Sequence, residues 1–119
     1  MIKICMIGTG YVGLVSGACL ADFGHHVRCV DIDGGRIERL AKGEIPIYEP
    51  GLKDVVARNV EGERLHFMGD LAAAVRDADV VFIAVGTPSA PDGGTDLKYV
   101  FQAARDVAKH LTGYTVVVQ

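Results

Sequence analysis

Several kinds of residue are scarce or missing in this 119-residue chain, and each absence removes a class of protein. There is no tryptophan and only 7% aromatic residues, and no stripe of basic side chains is visible. A protein that reads nucleic acid through such a stripe is therefore not expected. Cysteines number three, at Cys5, Cys19 and Cys29. Their spacing suits neither zinc nor a disulfide framework, so they read as small reduced core residues of a cytoplasmic protein. No apolar run is long enough to cross a bilayer. Lys3 followed by the apolar stretch ending at Ala21 has some look of a signal peptide. The glycines at 8, 10, 13 and 17 interrupt it, and another pattern explains them better. The four histidines lack metal spacing on any common face, and no Ser/His/Asp or Cys/His grouping is set for nucleophilic catalysis. The net charge is only −3, and half the residues are hydrophobic, which is enough for one domain with a real core.

What the chain does have is glycine, 15 of them, and their placement carries information. The opening Met1–Ile7 is an apolar strand broken only by Lys3. Gly8-Thr-Gly10-Tyr-Val-Gly13 follows, then an apolar helix, then the short run Val27–Asp31. Glycines at 8, 10 and 13 after a strand, with a carboxylate beyond a second strand, fit the dinucleotide-binding fingerprint. Gly8 allows a sharp turn out of the strand, Gly10 lets backbone approach a pyrophosphate, and Gly13 lets the helix sit close. The N–H groups near Tyr11, Val12 and Gly13 would point at phosphates, with the helix dipole favouring negative charge. Asp31 would accept hydrogen bonds from both adenosine-ribose hydroxyls and repel a 2′-phosphate, which favours NAD over NADP.

Further along, strands are expected at 2–7, 27–31, 65–68, 79–85 and 115–118. Helices are expected at 11–23, 34–42, about 51–59, 70–77 and 97–111. Gly17, Ala18 and Ala21 are available to face the sheet, and Ile37, Leu40 and Ala41 form the inner side of the second helix. Pro50 suits the first position of the third helix, Asp70 caps the fourth and Asp96 the fifth. Strands alternating with helices give an α/β fold, a doubly wound parallel sheet of Rossmann type with strand order 3-2-1-4-5. The chain reads as a single domain, 1–119, stopping before the sixth strand usual in this fold, hence the cofactor half of a longer enzyme.

Ligands of such a sheet bind beyond the carboxyl ends of its strands, where the order reverses. Two further loops reach that edge. One carries Arg36, placed over an adenine or a phosphate, or else simply solvated on its helix. The other is Gly86-Thr87-Pro88-Ser89, whose glycine admits a ligand and whose hydroxyls can bond ribose or phosphate. In the stiff stretch Pro46–Pro50, Glu49 reads on physical grounds as a charge welcomed at a helix start.

The segments Ile7-Gly8-Thr-Gly-Tyr-Val-Gly13-Leu, Asp31-Ile-Asp, Pro46-Ile-Tyr-Glu-Pro-Gly-Leu52 and Ala84-Val-Gly-Thr-Pro-Ser89 together resemble the NAD-binding domain of the nucleotide-sugar 6-dehydrogenases, the UDP-glucose and GDP-mannose 6-dehydrogenase family. The resemblance covers essentially the whole chain. It implies a four-electron oxidation of a sugar's C6 alcohol to a carboxylate with two NAD, with UDP-glucose the expected substrate and GDP-mannose the alternative. It places cofactor contacts at the glycine turn, Tyr11, Val12, Asp31, Arg36, Thr87 and Ser89, with Gly86 beside them, and it moves Glu49 toward the substrate side. It also implies a homodimeric full-length protein whose catalytic residues lie beyond residue 119. None of the three cysteines matches the family's catalytic motif, so the chain alone is expected to bind NAD weakly and oxidise nothing. A non-catalytic NAD(H)-sensing domain shares the fingerprint but has no need of the Pro46–Leu52 loop. A methyltransferase also places an acid after its second strand, but the glycine spacing argues against it.

Overall fold

The computed structural model describes all residues, Met1–Gln119. Five strands, β1 (Lys3–Ile7), β2 (His26–Val30), β3 (Leu65–Met68), β4 (Val80–Ile83) and β5 (Val116–Val118), form one sheet in the order β3-β2-β1-β4-β5. All four pairings are parallel. The expected fold and strand order are both present. The helices are α1 (Tyr11–Asp22), α2 (Gly34–Ala41), α3 (Leu52–Glu61), α4 (Leu71–Val75) and α5 (Lys98–Ala108).

Side chains of β1 alternate between two cores, as the period of a strand requires. Ile4 and Met6 join Leu14, Ala18, Ala21, Val27, Leu40, Val56 and Leu65 on the face covered by α1 and α3. Cys5 and Ile7 join Val75, Val81, Ile83, Ala103 and Val107 on the face covered by α4 and α5. A strand buried on both sides is apolar throughout, which is why β1 reads as a nearly unbroken hydrophobic run. The small residues Gly17, Ala18 and Ala21 are buried and let α1 lie close over β1 and β2.

Polar side chains tie one helix to the sheet and two helices to each other. Arg28 of β2 donates through Nη1 to the carbonyls of Ala73 at 2.9 Å and Arg76 at 2.6 Å, closing the end of α4. Arg58 of α3 donates through Nε and Nη2 to the two oxygens of Asp22, both at 2.8 Å, and the buried Asn59 amide adds a third bond to Oδ1 at 2.9 Å. These bonds to Arg58 and Asn59 hold the Asp22 carboxyl well below the usual carboxylate range.

Some boundaries differ from expectation for local reasons. Gly51 adopts a left-handed conformation (φ +82°) as the N-cap of α3, so the helix starts at Leu52 and Pro50 stays outside it. Strand β2 ends at Val30, leaving Asp31 just past the last ladder bond. Helix α5 ends at Ala108 rather than 111. Ala41 is exposed rather than inward, because α2 has only eight residues and buries one short stripe, Ile37 and Leu40. Asp70 accepts from the Ala73 N–H as a cap should, but Leu97 rather than Asp96 is the N-cap of α5, and Asp96 only closes a local turn by accepting from the Lys98 N–H.

Candidate functional site

The turn between β1 and α1 is wedged between the ends of β2 and β4. The Gly8 N–H donates to the Val30 carbonyl at 2.8 Å. Gly8 has φ +102°, and a Cβ there would stand 2.4 Å from the Ala84 carbonyl oxygen. A Cβ on Gly13 would stand 1.9 Å from the Gly8 carbonyl oxygen. Neither position admits a side chain, and together they lock the first turn of α1 onto the strand end. At Gly10 no atom of the chain lies within 4 Å of such a Cβ, so the backbone there is bare toward the cleft. The N–H groups of Tyr11, Val12 and Gly13 donate to no carbonyl or side chain of the protein. Three unpartnered donors at the positive end of a twelve-residue helix suit an anion.

Asp31 faces this turn. Its Oδ2 accepts from the Thr9 N–H at 2.8 Å and from the Thr9 hydroxyl at 2.7 Å. Its Oδ1 accepts from the Asp33 N–H at 2.9 Å. Arg36 reaches Oδ2 at 3.4 Å. Burial by itself would raise the Asp31 pKa. The bonds from Asp33 and Thr9 and the charge of Arg36 outweigh it, so the carboxyl is held below its ordinary value.

Turn and carboxylate share a cleft of about 770 Å³ at the carboxyl ends of β1 and β4. Of the residues singled out from the sequence, Gly8, Gly10, Tyr11, Val12, Asp31, Arg36, Gly86 and Thr87 line it. Gly13 sits behind the turn as a packing residue. Ser89 is drawn elsewhere, into a short antiparallel bridge with Thr95. Arg36 lines the cleft with its guanidinium 3.4 Å from the Asp31 carboxylate.

The spacing pattern missed several lining residues. Thr9 occupies a position where the fingerprint states no preference. Ile32, 97% exposed, flanks Asp31, and Leu71, Tyr99 and Asp106 come from α4 and α5. A helix-spaced face running Tyr99, Gln102, Asp106 was the only sequence signal for the last group. Glu49 does stand at the start of α3, its carbonyl accepting from the Leu52 N–H, and its carboxylate also accepts a 2.5 Å hydrogen bond from the Tyr11 hydroxyl, a contact the sequence does not signal. That bond, with the negative charge beside it, raises the Tyr11 pKa and links the glycine turn to the loop 43–51.

The thiols take no part. Cys5 and Cys29 are buried in the sheet, and burial pushes both up to about 12, which leaves them inert. Cys19 is exposed on α1, contrary to the expectation that all three lie in the core. No helix is long and apolar enough to cross a membrane.

A parallel sheet of order 3-2-1-4-5, with unpartnered helix amides and an anchored carboxylate at the point where the order reverses, defines a dinucleotide-binding domain of the Rossmann class. The chain belongs to the UDP-glucose/GDP-mannose dehydrogenase family and forms its NAD-binding domain, whose family model matches residues 2–119. It is 63% identical over 117 residues to a UDP-glucose 6-dehydrogenase of Rhizobium meliloti, a match covering 98% of this chain and 27% of that protein. It is 53% identical to the UDP-glucose 6-dehydrogenase TuaD of Bacillus subtilis, over 99% of this chain and 26% of that one. The fold superposes on a UDP-glucose dehydrogenase of Pyrobaculum islandicum with a TM-score of 0.88 and 44% identity, covering 92% of this chain and 26% of the other. A GDP-mannose dehydrogenase from Pseudomonas aeruginosa gives 0.85 and 40%, covering 89% and 24%. The chain thus spans about a quarter of the length of the curated relatives it matches.

Proposed function

We propose that this chain holds NAD for a UDP-glucose 6-dehydrogenase, and that Gly8, Gly10, Tyr11, Val12, Gly13, Asp31, Arg36, Gly86 and Thr87 form the cofactor site. The observation that carries the reading is the pairing of unpartnered amides at Tyr11–Gly13 with the anchored Asp31 carboxylate in one cleft. The amides would take the pyrophosphate and Asp31 the adenosine ribose. Gly86 and Thr87, leaving β4 on the other side of the switch point, would face the nicotinamide half. Ser89, outside the cleft lining, is a weaker candidate that would serve only if its loop moved. Bound NAD supplies the hydride acceptor. The contribution of this domain is to orient it and to shield one face with the apolar ends of β1 and β4.

The full-length protein, in this reading, is a cytoplasmic homodimer that oxidises the C6 alcohol of UDP-glucose to a carboxylate, its catalytic residues lying outside residues 1–119. Sequence identity to two UDP-glucose 6-dehydrogenases supports that choice over GDP-mannose. Titration of the chain with NAD in a calorimeter should give saturable 1:1 binding. Asp31→Ala should weaken it by at least about tenfold, the scale of a lost hydrogen bond to a charged group. Equal affinity in the two proteins would remove Asp31 from the site. In the full-length enzyme, NADH formation should depend on UDP-glucose. Turnover with GDP-mannose instead would reverse the substrate assignment. Sedimentation should give a dimer, and a monomer would refute that part.

A further inference from the structure

Resting on the NAD reading above, we propose that Thr9 is the positioning residue of the cofactor site, its hydroxyl fixing the Asp31 carboxylate so that the domain accepts a dinucleotide with a free 2′-hydroxyl and rejects one that is phosphorylated there. Asp31 lies one residue past β2, where no ladder bond holds it. Thr9 supplies the missing constraint from the neighbouring strand's turn. It is 1% exposed, and its N–H and hydroxyl both donate to the same oxygen, Oδ2, at 2.8 and 2.7 Å. The Thr9 hydroxyl has no other partner in the chain.

A carboxylate oxygen has about two good acceptor directions, and Thr9 takes both on Oδ2. Arg36, at 3.4 Å and with 38% of its side chain exposed, is the weakest of the three donors on that oxygen and is readily displaced. Oδ1 accepts only from the Asp33 N–H, so the open acceptor capacity of Asp31 lies on Oδ1. The clamp therefore decides which oxygen is offered to a ribose. Without the hydroxyl, Oδ2 keeps the Thr9 N–H and the weak Arg36 contact and Oδ1 keeps the Asp33 N–H, a looser hold that lets the carboxylate tilt, weakening the grip on hydroxyls and relaxing the repulsion of a 2′-phosphate at once. Held, it is preorganised, and binding does not have to order it.

The test compares Thr9→Val and Thr9→Ser with the parent chain, measuring NAD affinity by calorimetry and NADP affinity by NMR titration, with thermal melts as the folding check. Thr9→Val should weaken NAD about tenfold while changing NADP less than threefold, so that the preference for NAD shrinks. Thr9→Ser, which keeps the hydroxyl, should stay within about twofold of the parent for both. Should Thr9→Val fail to fold, Thr9→Ala removes the hydroxyl without adding a methyl and carries the same expectation. Parent-like NAD affinity in the Val or Ala variant overturns the proposal. So does equal weakening of NAD and NADP, or a Ser variant as poor as Val. A parent chain that does not bind NAD would instead take down the cofactor reading itself.

Discussion

Two connections leave neighbouring strands at the same rim of the sheet, and they are built in opposite ways. The turn after β1 is interlocked with its surroundings: Gly8 bonds to Val30 and presses on Ala84, Gly13 presses on Gly8, and Thr9 is buried against Asp31. The loop from Gly86 to Asp96, after β4, bonds mainly to itself, through Ala90 to Gly94, Gly93 to Ala90, Asp96 to Pro88 and the Ser89–Thr95 bridge, and it is mostly exposed. The difference divides the cleft. Neighbouring elements hold the wall bearing Asp31, whereas the wall bearing Thr87 is held chiefly by bonds within its own loop. An orienting domain gains from that split, because one end of a long cofactor can be gripped while the reacting end retains latitude.

The contrast can be broken most forcefully at Gly13. Gly13→Ala drives a methyl into the Gly8 carbonyl. It should cost about 3 kcal/mol or more in urea unfolding, and a variant as stable as the parent would show that the corner is not interlocked. Acid gives the next largest effect. Asp31 is held below its ordinary value, so the folded chain takes up this proton less readily than the unfolded chain. Its contribution is complete above the unfolded carboxylate value of about 3.9 and is lost as pH falls through the lower folded value. Melting temperatures should therefore hold down to about pH 4 and fall as the pH is lowered further, and Asp31→Asn should flatten part of that slope. The remainder belongs to Asp22, whose carboxyl is depressed in the same sense.

The self-contained loop should respond more weakly. Gly93, at φ +87° with open space around its missing Cβ, should tolerate alanine at a cost of about 1 kcal/mol or less, since the loop can relax. NAD affinity at the Asp31 wall should stay unchanged in a calorimetric titration. The smallest effect belongs to Tyr11→Phe. It removes an exposed bond to Glu49 and should move the melting temperature by no more than about 2 °C.

How much of this was legible in the sequence follows the same division. The corner at Gly8 and Gly13 was readable because tight backbone packing imposes residue type and spacing, and Asp31 because a carboxylate stands out at the end of an apolar strand. The sheet order was readable because β1 and β4 are apolar on both faces and alternate with helices. What stayed hidden are contacts between side chains far apart in the chain. Thr9 and Asp31 are 22 residues apart, and Tyr11 and Glu49 are 38 apart. No local period links either pair. Proline favours a helix start, but the left-handed Gly51 puts that start at Leu52, two residues past Pro50. Ser89 was grouped with Thr87 by adjacency, but its pairing with Thr95 draws it out of the cleft.

The burial of Cys5 and Cys29, against the exposure of Cys19, has a practical outcome at the bench. Maleimide reagents attack thiolates they can reach, so a fluorophore would attach at one place without any engineered substitution. That place is the outer surface of the helix whose first turn bears the unpartnered amides. A dye there could report, by a change in emission, when the cleft fills.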